Sequence, residues 1–494
     1  MRVLFIFGMP FNPRNMKTYT KKIKIVIFSV TLLVQTVAHS QEKSVDLGTG
    51  VEFLFNKNDE KNPCISIQEY EILNKEVTDN IKKLGLDTKS NKNTLATSLL
   101  WPLKKAASFT QCEYHFIAAY VDQNTTTTTI QDYNCESNTY DGHHGTDIAI
   151  WPYSFNKMEN NEIEVIAAAA GTIIQKADGN FDRNCSSTSL TANSIIIQHA
   201  DGTYALYWHM KKNSVTTKAI GQTVIAGEKL GIVGSSGSSS GPHLHFEVWS
   251  GATKETYKDP FTGSCNLLNA NSWWVSQRPH TEPAIMKVSV NTTDIVLATC
   301  PNSDVLTESD TFVVPFQGVG LTAGYAKFYV FLRELPAAAT INLEILNPNG
   351  TVFNSWSQTF PTYSKLRYWG FSKLLPTVEG LYTFKATYNG VSCSKAFTIT
   401  KNSLAIEGNL TLDAFTVFPN PTKETFQLSS TGIENENYTL TLSSITGQIL
   451  KEEKIEPTNG ILQKSYSVED LSRGIYFLTI ASTKSKTIKK IIKQ

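Results

Sequence analysis

Two short stretches concentrate the side chains that could do chemistry: "HHGTD" at 143–147 and "GPHLHFEVW" at 241–249. In an extended strand, successive side chains point to opposite faces. His243, His245, Glu247 and Trp249 therefore share one face, and Leu244, Phe246 and Val248 the other. An apolar face turned into a core leaves two imidazoles on a supported platform. In the first stretch His143, Gly145 and Asp147 share parity, and the glycine leaves room for another chain or a metal to approach the backbone closely. Two imidazoles and a carboxylate suit zinc, which in catalytic sites takes three protein ligands and keeps a fourth position for water, whose pKa falls to about 7. The favoured ligands are His143, Asp147 and His245, holding one zinc per chain. His243 and His209 are then unligated neighbours, suited to move protons and to stabilise the oxyanion of a tetrahedral intermediate.

Six of the nine histidines (143, 144, 199, 209, 243 and 245) fall within this region, while His39, His115 and His280 are isolated and read as structural. His144 competes with His143 for the metal, but its parity is opposite to that of Asp147, which makes it a rim residue. His199 lies at the turn end of its strand and reads as structural or as a hydrogen-bonding support. Glu247 is either a support for a ligand or an exposed strand residue, and strand parity does not decide between them. The run "GSSSG" at 237–241 contains G-x-S-x-G, which would make Ser239 a nucleophile only if a helix came next; Pro242 and an alternating strand come instead. No HExxH and no phosphate-cradling glycine loop occurs.

The elements that must position these residues are mainly strands. Lys21, Lys22 and Lys24 precede the apolar run Ile25 to Val34, and small residues at 38–40 offer a cleavage site, so residues 1–40 read as a secretory signal peptide, with Met16 a better start than Met1 and the mature chain beginning near Gln41. Residues 41–120 read as a partly helical extension around "SIQEYEILNKEVTDNIKKLGL" that packs on the next domain and covers the cleft as a propeptide would. Short alternating strands broken by Gly and Asp place an antiparallel β-sheet domain at 121–280, the one that carries both histidine stretches, with Ala200-Asp201-Gly202 turning one hairpin. Period-2 segments at 285–402 predict a β-sandwich accessory domain without a titratable cluster, and 410–494 a small C-terminal β-sandwich. No later segment approaches the ~18 apolar residues of a membrane span.

Composition names no partner: 45 basic residues against 44 acidic ones offer no field of one sign for nucleic acid or an anionic membrane. Seven cysteines without a CxxC pair in an exported chain predict disulfides with one thiol left over. The pairs favoured by position are Cys300–Cys393 and then Cys135–Cys185.

With these residues in place, the region resembles the lysostaphin-type zinc endopeptidases, through "HHGTD" at 143–147, "YWHM" at 207–210 and "GSSGSSSGPHLHFEV" at 234–248, in that family's order. The resemblance implies cleavage of peptide bonds in bacterial cell walls or in glycine-rich proteins, with His143, Asp147 and His245 as zinc ligands, His243 as general base and His209 as the second catalytic histidine. Met210, where the family often has Leu, and the insert "KADGNFDRNCSSTSLTANS" are departures, the latter in one groove wall. The tail "FTVFPNPTKETFQL … LSSITGQIL … DLSRGIYFLTI" resembles the C-terminal sorting domain of type IX secretion, which implies export to the surface or beyond and the secretion machinery as a partner. The expected partners are thus peptidoglycan or a glycine-rich peptide or protein. A non-catalytic peptidoglycan-binding regulator is the alternative from another class.

Overall fold

The computed structural model describes residues 49–52 (backbone only), 64–86, 97–401 and 415–494, apart from short gaps at 125, 127–128, 304–305, 317–320, 322–323, 432 and 484–485. The signal-peptide expectation lies outside the described residues.

The site-bearing sheet is built from strands β1 (His115–Ala119), β2 (Thr146–Ile150), β3 (Gly171–Ala177), β4 (Ser194–Gln198), β5 (Tyr204–Trp208), β6 (Thr223–Val224), β7 (His243–Trp249) and β8 (Tyr257–Lys258). Their order is β1-β2-β7-β5-β4-β3-β6, with β8 on the end of β7, and every pairing is antiparallel. The β4–β5 hairpin turns through Asp201-Gly202, closed by His199 N–H to the Thr203 carbonyl at 2.8 Å. Strand parity divides the sheet as the sequence predicts. Leu244, Phe246 and Val248 join Ile148, Ile195, Ile197 and Tyr207 in one core. A three-stranded sheet of Leu103–Lys105, Ile163–Ile166 and Lys229–Ile232 contributes Leu103, Ile163, Val165 and Leu230 to that same core.

The opposite face, which carries His243, His245 and Glu247, is covered in part by helix α1 (Ile67–Leu84). Ser66 caps α1 in a reciprocal box with Glu69, and Gly85 ends it in the left-handed region at φ 63°. Its apolar residues Tyr70, Leu73, Val77 and Ile81 form a single stripe, buried against Ile174, Ile196, Leu206, Trp208 and Trp249. Burial of such side chains contributes about 1.5–3 kcal/mol each. The stripe is what binds the helix to this face.

The sandwich has one sheet of Thr49–Glu52, Ser364–Leu374, Tyr325–Leu335 and Ala284–Asn291, and a second of Thr311–Val314, Val391–Lys401, Gly380–Tyr388, Ala339–Leu346 and Val352–Phe360. One pairing, Thr311–Val314 with Val391–Lys401, is parallel. The N-terminal strand 49–52 adds to the sandwich edge, a long-range pairing that local periodicity does not encode. Within Tyr325–Leu335, Phe328, Val330 and Leu332 enter the sandwich core. The alternate residues Tyr329 and Phe331 pack with Phe116, Ala149, Trp151 and Tyr153 of the peptidase region. This strand is therefore buried on both faces, and the sandwich is docked rather than tethered.

Cysteine pairing differs from the expectation. The bonds are Cys112–Cys393, Cys135–Cys265 and Cys185–Cys300, and Cys64 is free. Proximity in sequence misled because partners lie 281, 130 and 115 residues apart, brought together by the docking of the two regions and the return of the chain past β8.

The C-terminal region folds as two sheets, Phe415–Phe418, Thr425–Thr431 and Ile461–Ser467 in one, and Ile449–Ile455, Tyr438–Ser444, Gly474–Ala481 and Lys486–Lys493 in the other, around Phe426, Leu428, Leu440, Leu478 and Ile480. The Lys-rich end is its edge strand. Lysines there guard an exposed edge against unwanted pairing. No described helix is long and apolar enough to cross a membrane.

Candidate metal centre

Antiparallel register sets the centre. His245 on β7 pairs directly with Asp147 on β2, and β5 on the other side of β7 ends at Trp208, just before His209. Asp147 Oδ1 lies 2.8 Å from His245 Nδ1, Asp147 Oδ2 lies 3.2 Å from His143 Nε2, and the two imidazole nitrogens are 3.2 Å apart. Four donors set tetrahedrally about 2.0–2.1 Å from a zinc stand about 3.3–3.4 Å from one another. The observed separations are close to that edge length.

The outer nitrogen of each ring is committed. His143 Nδ1 lies 2.7 Å from the Tyr120 carbonyl and so must donate, which leaves Nε2 as a lone pair toward Asp147. His245 Nε2 donates to Glu247 Oε1 at 2.8 Å, which frees Nδ1 on the inner side. Two inward nitrogens and a carboxylate, all buried, require a positive charge among them, either a proton or a cation. Without a cation, burial would lower the His245 pKa, but Asp147 holds it well above the usual histidine range. Burial would raise Asp147, yet His143 and His245 keep its carboxyl well below its ordinary value. The donor set and its outer hydrogen bonds fit a zinc ion.

Glu247, which parity left undecided, is fully buried and accepts from His245, from Trp249 Nε1 at 2.7 Å and from Tyr70 Oη of helix α1. Burial opposes its ionisation, but the His245 hydrogen bond brings its pKa down to about 2. Gly145 is required by its neighbour: a Cβ there would stand 2.7 Å from His245 Cε1 and 2.9 Å from the Phe246 carbonyl. The ring of His245, rather than a separate chain, occupies the space the glycine leaves.

His209 and His243 form the second half of the centre, their ring centroids 4.5 Å apart. His209 is in the left-handed region at φ 66°, which ends β5 and turns the ring toward His243. Both point Nδ1 at loop carbonyls, His209 at Ser236 (2.6 Å) and His243 at Gly241 (2.8 Å), so both present a lone pair at Nε2. His243 Nε2 is 3.7 Å from Asp147 Oδ1, and His209 Nε2 is buried with no hydrogen-bond partner among the described residues. Burial pushes His209 well below the usual histidine pKa, helped by His243 and His245, and lowers His243 too. The loop that supplies these carbonyls is the Gly/Ser run. Ser235, Ser236, Ser238 and Ser239 are buried and Ser240 is exposed: Ser235 bonds to the Asn184 carbonyl (2.7 Å), Ser236 to that of Met210 (2.8 Å), and Ser239 to that of Gly241 (3.0 Å). It is a packed support for two imidazoles.

The remaining histidines lie elsewhere. His144 stacks on Tyr257 at 4.1 Å, His199 bonds to the Ala170 carbonyl at 2.8 Å, His115 lies beside Arg333, and His280 pairs with Asp132 at 2.9 Å. Sequence reasoning missed two contributors. Tyr140 stacks on His143 at 4.2 Å with its hydroxyl 3.4 Å from Asp147 Oδ2, and Cys64 Sγ lies 3.0 Å from that hydroxyl. Parity along β2 and β7 carries no signal for either.

Residues 141–260 match the profile of Peptidase family M23. The chain carries an M23 peptidase domain. The matched residues include His143, Asp147, His209, His243 and His245. Residues 416–494 match the Secretion system C-terminal sorting domain, which directs the chain through type IX secretion to the cell surface or the extracellular space. Among curated relatives, the chain is 47% identical over 56 residues to the DD-carboxypeptidase/endopeptidase Mpg of Neisseria meningitidis, 11% of this chain and 12% of that one. It is 30% identical over 91 residues to the cell division protein DipM of Caulobacter vibrioides, 18% of this chain and 14% of that one. The chain thus spans less than a sixth of the length of either relative. The catalytic domain of the antimicrobial peptidase lysostaphin from Staphylococcus simulans aligns at 19% identity over 32% of this chain and 96% of that one, with a TM-score of 0.19.

Proposed function

We propose that the protein is an exported zinc metalloendopeptidase that hydrolyses peptide bonds in peptidoglycan cross-links or glycine-rich peptides. His143 Nε2, an Asp147 oxygen and His245 Nδ1 would hold one zinc. The observation that carries this reading is the convergence of those three buried donors at 2.8–3.2 Å, with each outer ring nitrogen already used. When bound, zinc supplies a Lewis acid for the scissile carbonyl and a water that is acidic near pH 7. His243 takes the proton of the attacking water at Nε2, with Nδ1–H on the Gly241 carbonyl fixing the ring. His209 is a neutral acceptor at rest, so its hydrogen bond to the substrate oxyanion forms once Nε2 has taken a proton from solvent and the ring is an imidazolium. The mature chain is proposed to begin near Gln41, with the peptidase region at 121–280, the accessory sandwich at 285–402 and the sorting domain at 410–494. Strand β1 and the Leu103–Lys105 strand belong to the sheets of this region, and Leu99 to its core, which supports a start for it upstream of 121.

A second reading, a protease of extracellular proteins with a side chain beside the scissile bond, is favoured by a cavity of about 170 Å³ next to His243 and Asp147. Phe116, Trp151, Pro242 and the sandwich residue Leu366 line it, so the accessory domain helps to form its wall.

Elemental analysis and digestion test the proposal. One zinc per chain is expected in the purified protein, lost in His245→Ala and kept in His243→Ala. Peptidoglycan, pentaglycine and an elastin-like peptide, offered to the wild-type chain and to Cys64→Ala, should include a cleaved substrate, with His243→Ala slower by about 10²–10⁴-fold. Absence of zinc, or cleavage of none of the three by either form, would overturn it in favour of a binding role.

A further inference from the structure

Cys64 is the cysteine that the three disulfides leave over, and it lies inside the centre. Its Sγ, His143, Asp147 and His245 each offer a ligand atom within 4.8 Å of all the others, and it stands in the same relation to His209 and His243. Its separation from Asp147 Oδ2 is 3.8 Å. A thiolate at about 2.3 Å and a carboxylate oxygen at about 2.0–2.1 Å from one tetrahedral zinc are about 3.5–3.6 Å apart. A second observation points to the same place: His209, whose Nε2 is fully buried and without a hydrogen-bond partner among the described residues, offers a ring nitrogen within 4.8 Å of Cys64 Sγ.

The thiol is held there by structure on its C-terminal side. Ile65 is buried, Ser66 caps α1, and Tyr70 reaches Glu247, the residue that orients His245. Further along, Asn80 Nδ2 donates to the Ile174 carbonyl at 2.9 Å, and Lys254 N–H donates to Asn74 Oδ1 at 3.1 Å. Helix and sheet thus fix the position from which Cys64 enters.

We infer that Cys64 is a fourth protein ligand of the metal, delivered by helix α1, and that the chain with this segment in place is a latent peptidase. The inference rests on the proposed zinc centre. Three protein ligands leave a position for water, whereas four close the centre in the manner of structural zinc sites. On metal binding the S–H proton passes to solvent and a sulfur–metal bond forms; no oxidant is involved. Removal of the segment that carries Cys64 opens the position.

The test uses the full mature chain loaded with Co²⁺ in place of zinc. A thiolate-to-cobalt charge-transfer band in the near ultraviolet is expected for the wild type and absent from Cys64→Ala and Cys64→Ser, with circular dichroism unchanged. In the zinc form the single thiol should resist a disulfide reagent until a chelator is added. Cys64→Ala should cleave substrate at least tenfold faster than the intact wild type. One metal per chain without the thiolate band, or a freely reactive thiol in the loaded protein, would overturn the fourth ligand and leave the zinc reading standing. Failure of both wild type and Cys64→Ala to bind metal would overturn the zinc reading, and the fourth ligand with it.

Discussion

The chemistry of the centre is decided by which nitrogen of each imidazole faces inward, and that is a matter of outer hydrogen bonds. A carbonyl cannot donate, so the Tyr120, Ser236 and Gly241 carbonyls assign His143, His209 and His243 unambiguously. For His245 the assignment depends on the Glu247 carboxylate. Glu247→Gln keeps an acceptor near Nε2 but removes the charge that raises ligand basicity. Zinc affinity, measured by competition with a chromophoric chelator, is expected to fall about 10–100-fold, and the buried donor left without an acceptor on the second oxygen should cost about 1–3 kcal/mol of stability.

At the scale of elements, three pieces of backbone meet at the site for different reasons. Strands β2 and β7 bring ligands together through register, the buried serine loop orients the two free imidazoles, and α1 lies across the face through its apolar stripe. The segment after β8 adds a pH dependence of its own. Burial pushes the Asp259 carboxyl up to about 8, against hydrogen bonds from Phe261 N–H (2.9 Å) and Gln123 Nε2 (2.8 Å). Its unfolded value is about 3.9, so between these pH values the folded state holds the extra proton. The contribution of this group to stability is therefore fully present below pH ~4 and is lost as pH rises to 8 and above. Asp259→Asn carries no charge and keeps an acceptor for one of the two donors, which sit on different oxygens. Urea midpoints should show its stability relative to wild type rising by about 2–5 kcal/mol between pH ~4 and pH ~8.5.

At the scale of the whole molecule, two disulfides, Cys112–Cys393 and Cys185–Cys300, staple the peptidase region to the sandwich across an aromatic interface that includes Trp151, Tyr153 and Phe331. Lys365 Nζ on the Ala118 carbonyl (2.9 Å) and Arg333 Nη1 on the His115 carbonyl (2.5 Å) add polar contacts to it. The double variant Cys112→Ser/Cys393→Ser should lose about 2–5 kcal/mol of stability to urea under non-reducing conditions. Its zinc content should be unchanged, because neither cysteine touches the centre and the aromatic packing remains.

Strand parity was sufficient to separate His243, His245 and Glu247 from Leu244, Phe246 and Val248, because a period of two is a property of extended backbone that needs no tertiary information; His143 lies in the turn before β2, so its approach to Asp147 is set by that turn. The helix of the extension and the sandwich were legible for the same reason, as local periodicity. Register, docking and chain return were not. Whether Glu247 is exposed or holds His245 in place depends on the helix that covers it, and the disulfide pairs depend on which faces of two domains meet. Cys64 is distant in sequence from every other member of the centre, and only the packing of α1 on the sheet puts its sulfur beside Asp147.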